Sequence, residues 1–176
     1  MTTIVRRAGA DDAALLARIA AATFPLACPP HTLAADITAF IAANLSEARF
    51  GEFLGDPARA LFISENDGVP SGYTMLIIGD PTDADVAAAV ITRPTAELSK
   101  VYVLPEFHGG GVASALIEAT VDEARGRGAR SVWLGVNQEN VRANRFYAKS
   151  GFAQVGTKRF LVGERYENDF VRALEL

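Results

Sequence analysis

The sequence predicts an α/β fold: a mixed, mostly antiparallel sheet of six to seven strands with helices on both faces. Three observations support this prediction. Helical periodicity dominates the chain before the first predicted hairpin. A strand near the middle of the chain leads through a glycine loop directly into a helix. The end of the chain then reads as strand, helix, strand and strand. Such an order places parallel and antiparallel neighbours in one sheet.

The composition narrows the function classes before any motif is considered. A length of 176 residues predicts a single domain spanning residues 1–176, and 49 % hydrophobic residues suffice for a full core. The formal net charge of -4 with no basic run argues against nucleic-acid binding. The sequence shows neither a signal peptide nor an apolar stretch that reaches the ~18 residues of a membrane span. Cys28 is the only cysteine, which excludes an intrachain disulfide and fits a cytoplasmic protein.

The first elements are a short strand and a helix. Thr3–Arg7 contains two apolar β-formers and ends before Gly9. Asp11 and Asp12 are N-cap candidates for a helix over 13–22. Three prolines within residues 25–30 predict a break from residue 24 onward, because proline has no N–H for a helix interior.

Two further helices and a hairpin complete the first half. Ser46 precedes an apolar run as an N-cap candidate, and Asp67-Gly68 is a two-residue hairpin signal. The loop over Asp80–Pro94 has a partly helical pattern at its centre. The predicted elements are helices over Leu33–Asn44 and Ser46–Leu54, followed by strands over Ala60–Ser64 and Gly72–Ile78.

A strand, a glycine loop and a helix follow one another between Glu97 and Ala124. Pro105 ends the strand because it cannot donate to a sheet ladder. Three glycines, 109 to 111, follow, and a helix with apolar positions at i, i+3, i+4 and i+7 begins at Val112. A helix start presents free N–H groups and a positive dipole end, and glycine allows close approach to a phosphate. We therefore expect a pyrophosphate at this loop.

Other glycine motifs do not fit this loop. A Walker A loop requires a Gly-Lys-Ser/Thr ending, which is absent, and a Rossmann fingerprint requires glycine where Ser114 stands. The alternative that the loop merely joins strand to helix stays open on the loop alone.

A second segment follows the strongly apolar strand Ser131–Val136. It reads Asn-Val-Arg-Ala-Asn-Arg-Phe-Tyr-Ala-Lys-Ser-Gly-Phe from Asn140 to Phe152. Asn140 is a plausible start of a helix and Gly151 its C-cap. Beyond it, Ala153–Val162 and Glu167–Leu174 alternate as two antiparallel strands around Gly163.

Together the two segments resemble the GNAT acyltransferase superfamily. That family's acetyl-CoA loop reads Gln/Arg-x-x-Gly-x-Gly/Ala, and the string His-Gly-Gly-Gly-Val-Ala from His108 matches it except at His108. The family's second signature, Asn-x-x-Ala-x-x-Phe-Tyr-x-x-x-Gly-Phe, is complete from Asn140 to Phe152. The match covers about the last 80 residues. The first 90 residues match only in the order of elements.

The resemblance implies a site for acetyl-CoA and no metal. In that family two central parallel strands splay apart and the pantetheine arm lies between them. Main-chain groups of Val101, Tyr102 and Val103 would bind the arm, and one of their amides, or that of Leu104, would polarise the thioester carbonyl. Asn140 and Asn144 would bond the arm from the next helix. The predicted pyrophosphate loop consists of His108, Gly109, Gly110, Gly111, Val112, Ala113 and Ser114.

The chemistry needs a base and an acid. An alkyl ammonium has a pKa of ~10.4, so deprotonation at pH 7 costs roughly 4.6 kcal/mol. Glu97, at the start of the central strand, is the candidate base, and the alternatives are a water relay or a solvated strand end. Tyr147 is the candidate acid. Its usual pKa near ~10 lies above the ~8.5 of a thiol, so it needs a lowered pKa or acts as a hydrogen-bond donor. The alternative is a core aromatic.

The acceptor is predicted as a small cationic amine, such as a polyamine. Asp36, Glu47, Glu52 and Asp56 lie on or beside the two predicted helices of the first half. The layout is similar to bacterial polyamine acetyltransferases of the superfamily. No cysteine lies in the motifs, so direct transfer is expected; Cys28 would line the acceptor's entrance or serve as apolar filler.

Two alternatives to this function stay open at this stage. The acceptor could be a protein N-terminus or lysine, although no peptide groove can be read from the sequence. The chain could also be a non-catalytic CoA-binding regulator. A homodimer through the last strands is a further expectation.

Overall fold

One seven-stranded sheet includes every strand of the computed structural model, which describes residues 2–176. The strand order is β1-β2-β3-β4-β5-β7-β6, and every neighbouring pair is antiparallel except β4 and β5. The strands are β1 (Thr3–Arg7), β2 (Arg59–Asn66), β3 (Val69–Ile78), β4 (Thr95–Val103), β5 (Ser131–Asn137), β6 (Ala153–Val162) and β7 (Arg165–Glu175). The helices are α1 (Ala13–Ala27), α2 (Ala34–Asn44), α3 (Glu47–Gly55), α4 (Ala84–Ala89), α5 (Val112–Gly126) and α6 (Val141–Lys149).

Local signals in the sequence explain several of these boundaries. Asp67 and Gly68 have φ values of 51° and 82°, the left-handed pair of a two-residue hairpin turn between β2 and β3. The Ser46 hydroxyl accepts a hydrogen bond from the Arg49 amide at 3.2 Å and so caps α3. Asp83 caps α4 in the same way. The predicted order of elements is therefore confirmed, with boundaries that move by a few residues.

The predicted break at residue 24 is wrong, because α1 continues through Pro25 to Ala27. A proline in the last turn removes a single helix hydrogen bond, that to the carbonyl of Ala21. Burial offsets this loss: Phe24 is 6 % exposed and stacks on Phe40 of α2 with ring centroids 4.6 Å apart. The chain leaves the helix only at Cys28, ahead of the next two prolines.

Helices cover both faces of the sheet, and alternation along β3 assigns the residues to each face. Tyr73 and Met75 pack with α1 and α3 on one face, which we call the α1 face. Leu76 packs with α5 on the other face, which we call the α5 face. Thr74 also lies there, because its hydroxyl meets that of Thr120 on α5. Successive side chains of a strand point to opposite faces, so β3 is buried on both sides.

The parallel pairing between β4 and β5 is very short. Only three residue pairs connect them, the last being Glu97 with Trp133. Beyond that pair β4 stays with β3, while β5 pairs with β7 along its whole length. The register of β4 against β3 shifts at Ser99, which has no partner on β3, and such a bulge bends the strand. The two central strands therefore splay apart, as expected.

The last two strands lie at one side of the sheet, with β6 as the edge. A dimer through these strands stays a prediction. Within residues 2–176, none of the helices combines the length and hydropathy needed to cross a membrane.

A buried hydroxyl pair offers a test of the packing between α5 and β3. Thr120 donates to the Leu116 carbonyl at 2.7 Å, so its oxygen is the acceptor for the Thr74 hydroxyl, also at 2.7 Å. Thr120→Val should lower the free energy of unfolding by about 1–3 kcal/mol, because it leaves the Thr74 donor buried and unpaired. In urea denaturation, the Thr74→Val/Thr120→Val double variant should lose less than the sum of the single losses. Strictly additive losses would contradict the pairing.

Candidate active site

A cleft of about 610 Å³ passes through the gap between the splayed strands. Its walls include β4 from Glu97 to Val103 and β5 from Leu134 to Asn137. The glycine loop and the start of α5 line its end on the α5 face. The α1–α2 connection and residues of β6 and β7 line its end on the α1 face. The cleft therefore opens toward two different sets of side chains on opposite faces of the sheet.

At the α5-face end, three amides of the helix start are free. Gly109 and Gly111 have φ values of 83° and 79°, which turn the chain so that α5 begins at Val112. Val112, Ala113 and Ser114 donate no hydrogen bond within the described residues; the first helical bond comes from Ala115, to the Gly111 carbonyl at 3.1 Å. These amides and the dipole of the 15-residue helix α5 are suited to bind an anion.

His108 ties this loop to its neighbours. Its Nε2 lies 2.8 Å from the Val103 carbonyl and its Nδ1 lies 3.0 Å from Nη1 of Arg142 on α6. The Arg142 guanidinium can only donate, so Nδ1 of His108 is the acceptor in this contact. In a neutral ring the proton is then on Nε2, which donates to the Val103 carbonyl. Both ring nitrogens are thus occupied, and His108 holds the loop against β4. The bridge also brings the Arg142 guanidinium to the cleft.

The main chain of β4 presents alternate residues to the cleft. The Leu104 amide donates to the Ser71 carbonyl at 2.8 Å, so it is not free for another acceptor. In an antiparallel ladder every second residue pair is hydrogen-bonded. Leu104 and Ser71 form one such pair, so the next one consists of Tyr102 and Tyr73. Val101 and Val103 consequently direct their amides and carbonyls away from β3, toward the gap. The Val103 carbonyl there is the one that His108 bonds.

The two asparagines of α6 have different positions. Asn140 lines the cleft and caps α6, its Oδ1 accepting from the Ala143 amide at 3.1 Å. Asn144 does not line the cleft. Its amide donates to the Asn137 and Asn140 carbonyls at 3.0 and 2.9 Å, and its Oδ1 accepts from Arg172 Nε at 3.0 Å. Asn144 therefore holds the β5–α6 turn against β7. Gly110 of the glycine loop also does not line the cleft.

Tyr147 lines the cleft from α6 on the α5 face. Its ring packs edge-on against Phe146 and Phe152, with centroids 5.5 and 6.0 Å away. Burial raises the pKa of the Tyr147 hydroxyl to about 12. This hydroxyl makes no hydrogen bond to another described residue, so it is available to a ligand as a neutral donor.

The end of the cleft on the α1 face carries charged side chains from three strands. Glu97 and Lys100 come from β4, Lys158 from β6, and Glu167 and Asp169 from β7. Burial raises the pKa of Glu97, opposed mainly by Lys158 and then by Lys100. Burial also raises the pKa of Asp169, to about 6, again opposed by Lys158, whose Nζ lies 3.9 Å from the Asp169 carboxylate.

Gly135 of β5 leaves space for the side chains of Lys158 and Asp169. A Cβ at that position would lie 2.6 Å from Lys158 Cε and 3.3 Å from the Asp169 carboxylate. No larger residue fits there without moving the two charged side chains.

Comparison with known proteins identifies the family. The model of the acetyltransferase (GNAT) family matches residues 21–152. The chain belongs to this family. An uncharacterized N-acetyltransferase of Mycobacterium tuberculosis strain H37Rv is 51 % identical over 165 residues, which cover 94 % of this chain and 98 % of that protein. The sequence-based identification as a GNAT N-acetyltransferase, and therefore as an acetyl-transferring enzyme, is confirmed.

Solved structures share the fold of this GNAT enzyme. The PaiA N-acetyltransferase of Thermoplasma acidophilum, solved in complex with coenzyme A, has a TM-score of 0.79 at 17 % identity, with full coverage of both chains. A ribosomal-protein-alanine N-acetyltransferase of Brucella melitensis has a TM-score of 0.70 at 21 % identity, covering 98 % of this chain and 99 % of that one.

Two acids of β7 in this GNAT enzyme were not among the site residues predicted from the sequence. Glu167 and Asp169 are only 6 % and 7 % exposed. Alternation places them on the same face as Val171, which is fully buried. The signal in the sequence was the presence of two acids at positions of an alternating strand that point into the protein.

The acids on which the acceptor prediction rested lie elsewhere. Asp36, Glu47, Glu52 and Asp56 do not line the cleft. Glu52 pairs with Arg49 and Asp56 with Arg59 on the outside of the molecule.

Two side chains of the α1–α2 connection lie at the end of the cleft on the α1 face. His31 Nε2 is 2.7 Å from Glu167 Oε1, and its ring lies 3.7 Å from Glu139. The ligand atoms of these three residues lie within 4.8 Å of one another, so they could hold a metal ion, although the His31–Glu167 hydrogen bond already satisfies two of them. Cys28 lines the cleft, and burial raises the pKa of its thiol to about 11.

The raised pKa of Asp169 gives this GNAT enzyme a measurable pH dependence of stability. The folded chain holds the Asp169 proton up to about pH 6, whereas the ordinary value is 3.8. Relative to Asp169→Asn, the wild type should therefore lose on the order of 2 kcal/mol as the pH rises from about 4 to 7. Urea unfolding of both proteins across this range measures the difference. A difference that stays constant with pH would contradict the assignment.

Proposed function

We propose that this GNAT enzyme transfers the acetyl group of acetyl-CoA directly to the primary amine of a small molecule. The observation that carries the proposal is the cleft itself. It connects the free amides of the helix start on one face with carboxylates on the other, through the gap between β4 and β5. A donor and an acceptor can thus meet inside the sheet without sharing an opening.

The donor end fits coenzyme A. The amides of Val112, Ala113 and Ser114 would hold the pyrophosphate, and Arg142 adds a cation beside them. The pantetheine arm would extend β4 by bonding to the main chain of Val101 and Val103. The amide of Val101 or Val103 would then stabilise the oxyanion, since that of Leu104 is taken. The structurally similar PaiA N-acetyltransferase was solved in complex with coenzyme A, which supports coenzyme A as the donor.

Glu97 is the proposed base. It stands at the last residue pair before the strands separate, so its carboxylate lies where an acceptor from the α1 face would reach the thioester. Its raised pKa brings it closer to that of the amine proton that it must accept, directly or through a water.

Tyr147 acts on the departing sulfur as a hydrogen-bond donor. With its pKa near 12 and that of a thiol near ~8.5, full proton transfer would be uphill by roughly 3.5 pKa units. A neutral hydroxyl can still stabilise the developing thiolate. Cys28 is not proposed as an acyl carrier, because its raised pKa keeps the thiol protonated.

The acceptor end favours a small molecule over an extended peptide. Phe40 of α2 meets Phe160 of β6 with ring centroids 5.6 Å apart, and His31 bonds Glu167 of β7. These contacts hold α2 and the α1–α2 connection against β6 and β7, where they would cover the acceptor. A protein or peptide acceptor would have to displace this cover.

Thiol release from acetyl-CoA against a panel of amines tests the function. The panel contains polyamines, free amino acids, aminoglycosides and peptides. Turnover with small amines supports the proposal. Turnover only with peptides would assign the acceptor to protein. Acetyl-CoA binding without turnover on any amine would favour a coenzyme A-binding regulator.

Replacing the Tyr147 hydroxyl should slow the chemical step. Tyr147→Phe should reduce kcat by about 100-fold, because one donor to the leaving sulfur is lost, while the acetyl-CoA Kd stays the same. Tyr166→Phe is the matched control, since that tyrosine is 55 % exposed and outside the cleft. Stopped-flow or steady-state thiol release measures both. Full activity in Tyr147→Phe would remove the donor role.

Removing the Glu97 carboxylate should change the pH profile as well as the rate. Glu97→Gln should lower kcat/KM by roughly 100-fold or more. The wild-type profile should fall on the acidic side at a pKa above 4.5, and the variant should lack this limb. Glu118→Gln, on the exposed side of α5, is the control. An acidic limb that persists in Glu97→Gln would assign the base to another group.

A further inference from the structure

Lys100 is a charged cleft residue that the proposed reaction does not use. It lines the cleft beside Glu97. Lys100 pairs with Met75 of β3, which packs with α1, so its side chain belongs to the α1 face. The acceptor would approach from this face, whereas the phosphates of coenzyme A would lie at the start of α5 on the opposite face.

Lys100 makes no direct polar contact among residues 2–176, although the charge of Glu97 acts on it. It forms neither an ion pair nor a hydrogen bond with any of these residues. Burial lowers the pKa of its ammonium to about 8, and Glu97 opposes this shift. By contrast, Lys158 lies 3.9 Å from Asp169, and Glu167 bonds His31. An unpaired cation that is partly removed from water gains most from an anionic ligand.

The distance between Glu97 and Lys100 suits a ligand with two opposite charges. Glu97 pairs with Ile77 and Lys100 with Met75, so the two lie two ladder steps apart, about 7 Å along the strand. The bulge at Ser99 keeps both on the α1 face. An acceptor amine can reach Glu97 while a carboxylate of the same molecule reaches Lys100.

We propose that the acceptor is a small molecule that carries a carboxylate as well as the reacting amine, and that Lys100 binds this carboxylate. The proposal rests on the acetyl transfer proposed above and specifies its acceptor. A purely cationic acceptor would offer Lys100 no counter-charge, and the Lys100 ammonium would repel it. Lys100 thereby becomes a specificity-determining residue, distinct from the groups that handle protons.

Matched acceptors that differ by one carboxylate test the proposal on the wild-type enzyme. The pairs are L-lysine with cadaverine, L-ornithine with putrescine, and L-phenylalanine with phenethylamine. In thiol release from acetyl-CoA, the carboxylate member of at least one pair should have a kcat/KM at least about tenfold higher. Equal or better use of all three amines without the carboxylate would overturn the proposal while leaving the acetyltransferase function standing.

A charge-removing variant assigns the preference to Lys100. Lys100→Met keeps the stem of the side chain and should lower the ratio of kcat/KM within the preferred pair at least about tenfold, mainly through KM. Lys100→Arg should retain most of the ratio. Lys149→Met, at the exposed end of α6, should leave it unchanged. An unchanged ratio in a folded Lys100→Met protein would overturn the role of Lys100.

Discussion

The shortness of the parallel pairing between β4 and β5 determines the rest of the site. Three residue pairs hold the two strands together, and each strand is then held by its antiparallel neighbour on the other side. The main-chain groups of Val101 and Val103 are left without a strand partner in a protein interior. Unpaired backbone groups are costly to bury, so the gap must be filled by water or by a ligand that hydrogen-bonds like a strand. A pantetheine arm has amides with which to do so.

The charged groups of the site follow from the same gap. The cleft is deep enough to raise the pKa of Glu97, Asp169 and Tyr147 and to lower that of Lys100, in each case mainly by burial. In each case burial shifts the protonation equilibrium toward the neutral form. A bound acceptor that brings its own charges therefore changes the protonation of the residues around it, and binding and proton transfer are linked.

Much of the fold and of the donor end could be predicted from the sequence, because they depend on local signals. Gly109 and Gly111 mark a helix start, and the string from Asn140 to Phe152 fixes α6 and its cap. The acceptor end could not be predicted, because it depends on contacts across long sequence separations. Glu167 meets His31 only through tertiary packing, and Asp169 lies above Gly135 because β7 pairs with β5. The continuation of α1 through Pro25 also depended on a distant residue, Phe40.

The position of the cleft across the sheet has a kinetic consequence. Under the proposed function, the donor would reach it from the side of α5 and the acceptor from the side of α1, so neither ligand would have to pass the other. This arrangement would impose no fixed order of substrate binding, and each product could leave by the route through which its substrate entered. The cover over the acceptor side is held mainly by side chains, the rings of Phe40 and Phe160 and the contact between His31 and Glu167. Exchange of the acceptor can therefore proceed while coenzyme A stays in place on the other side.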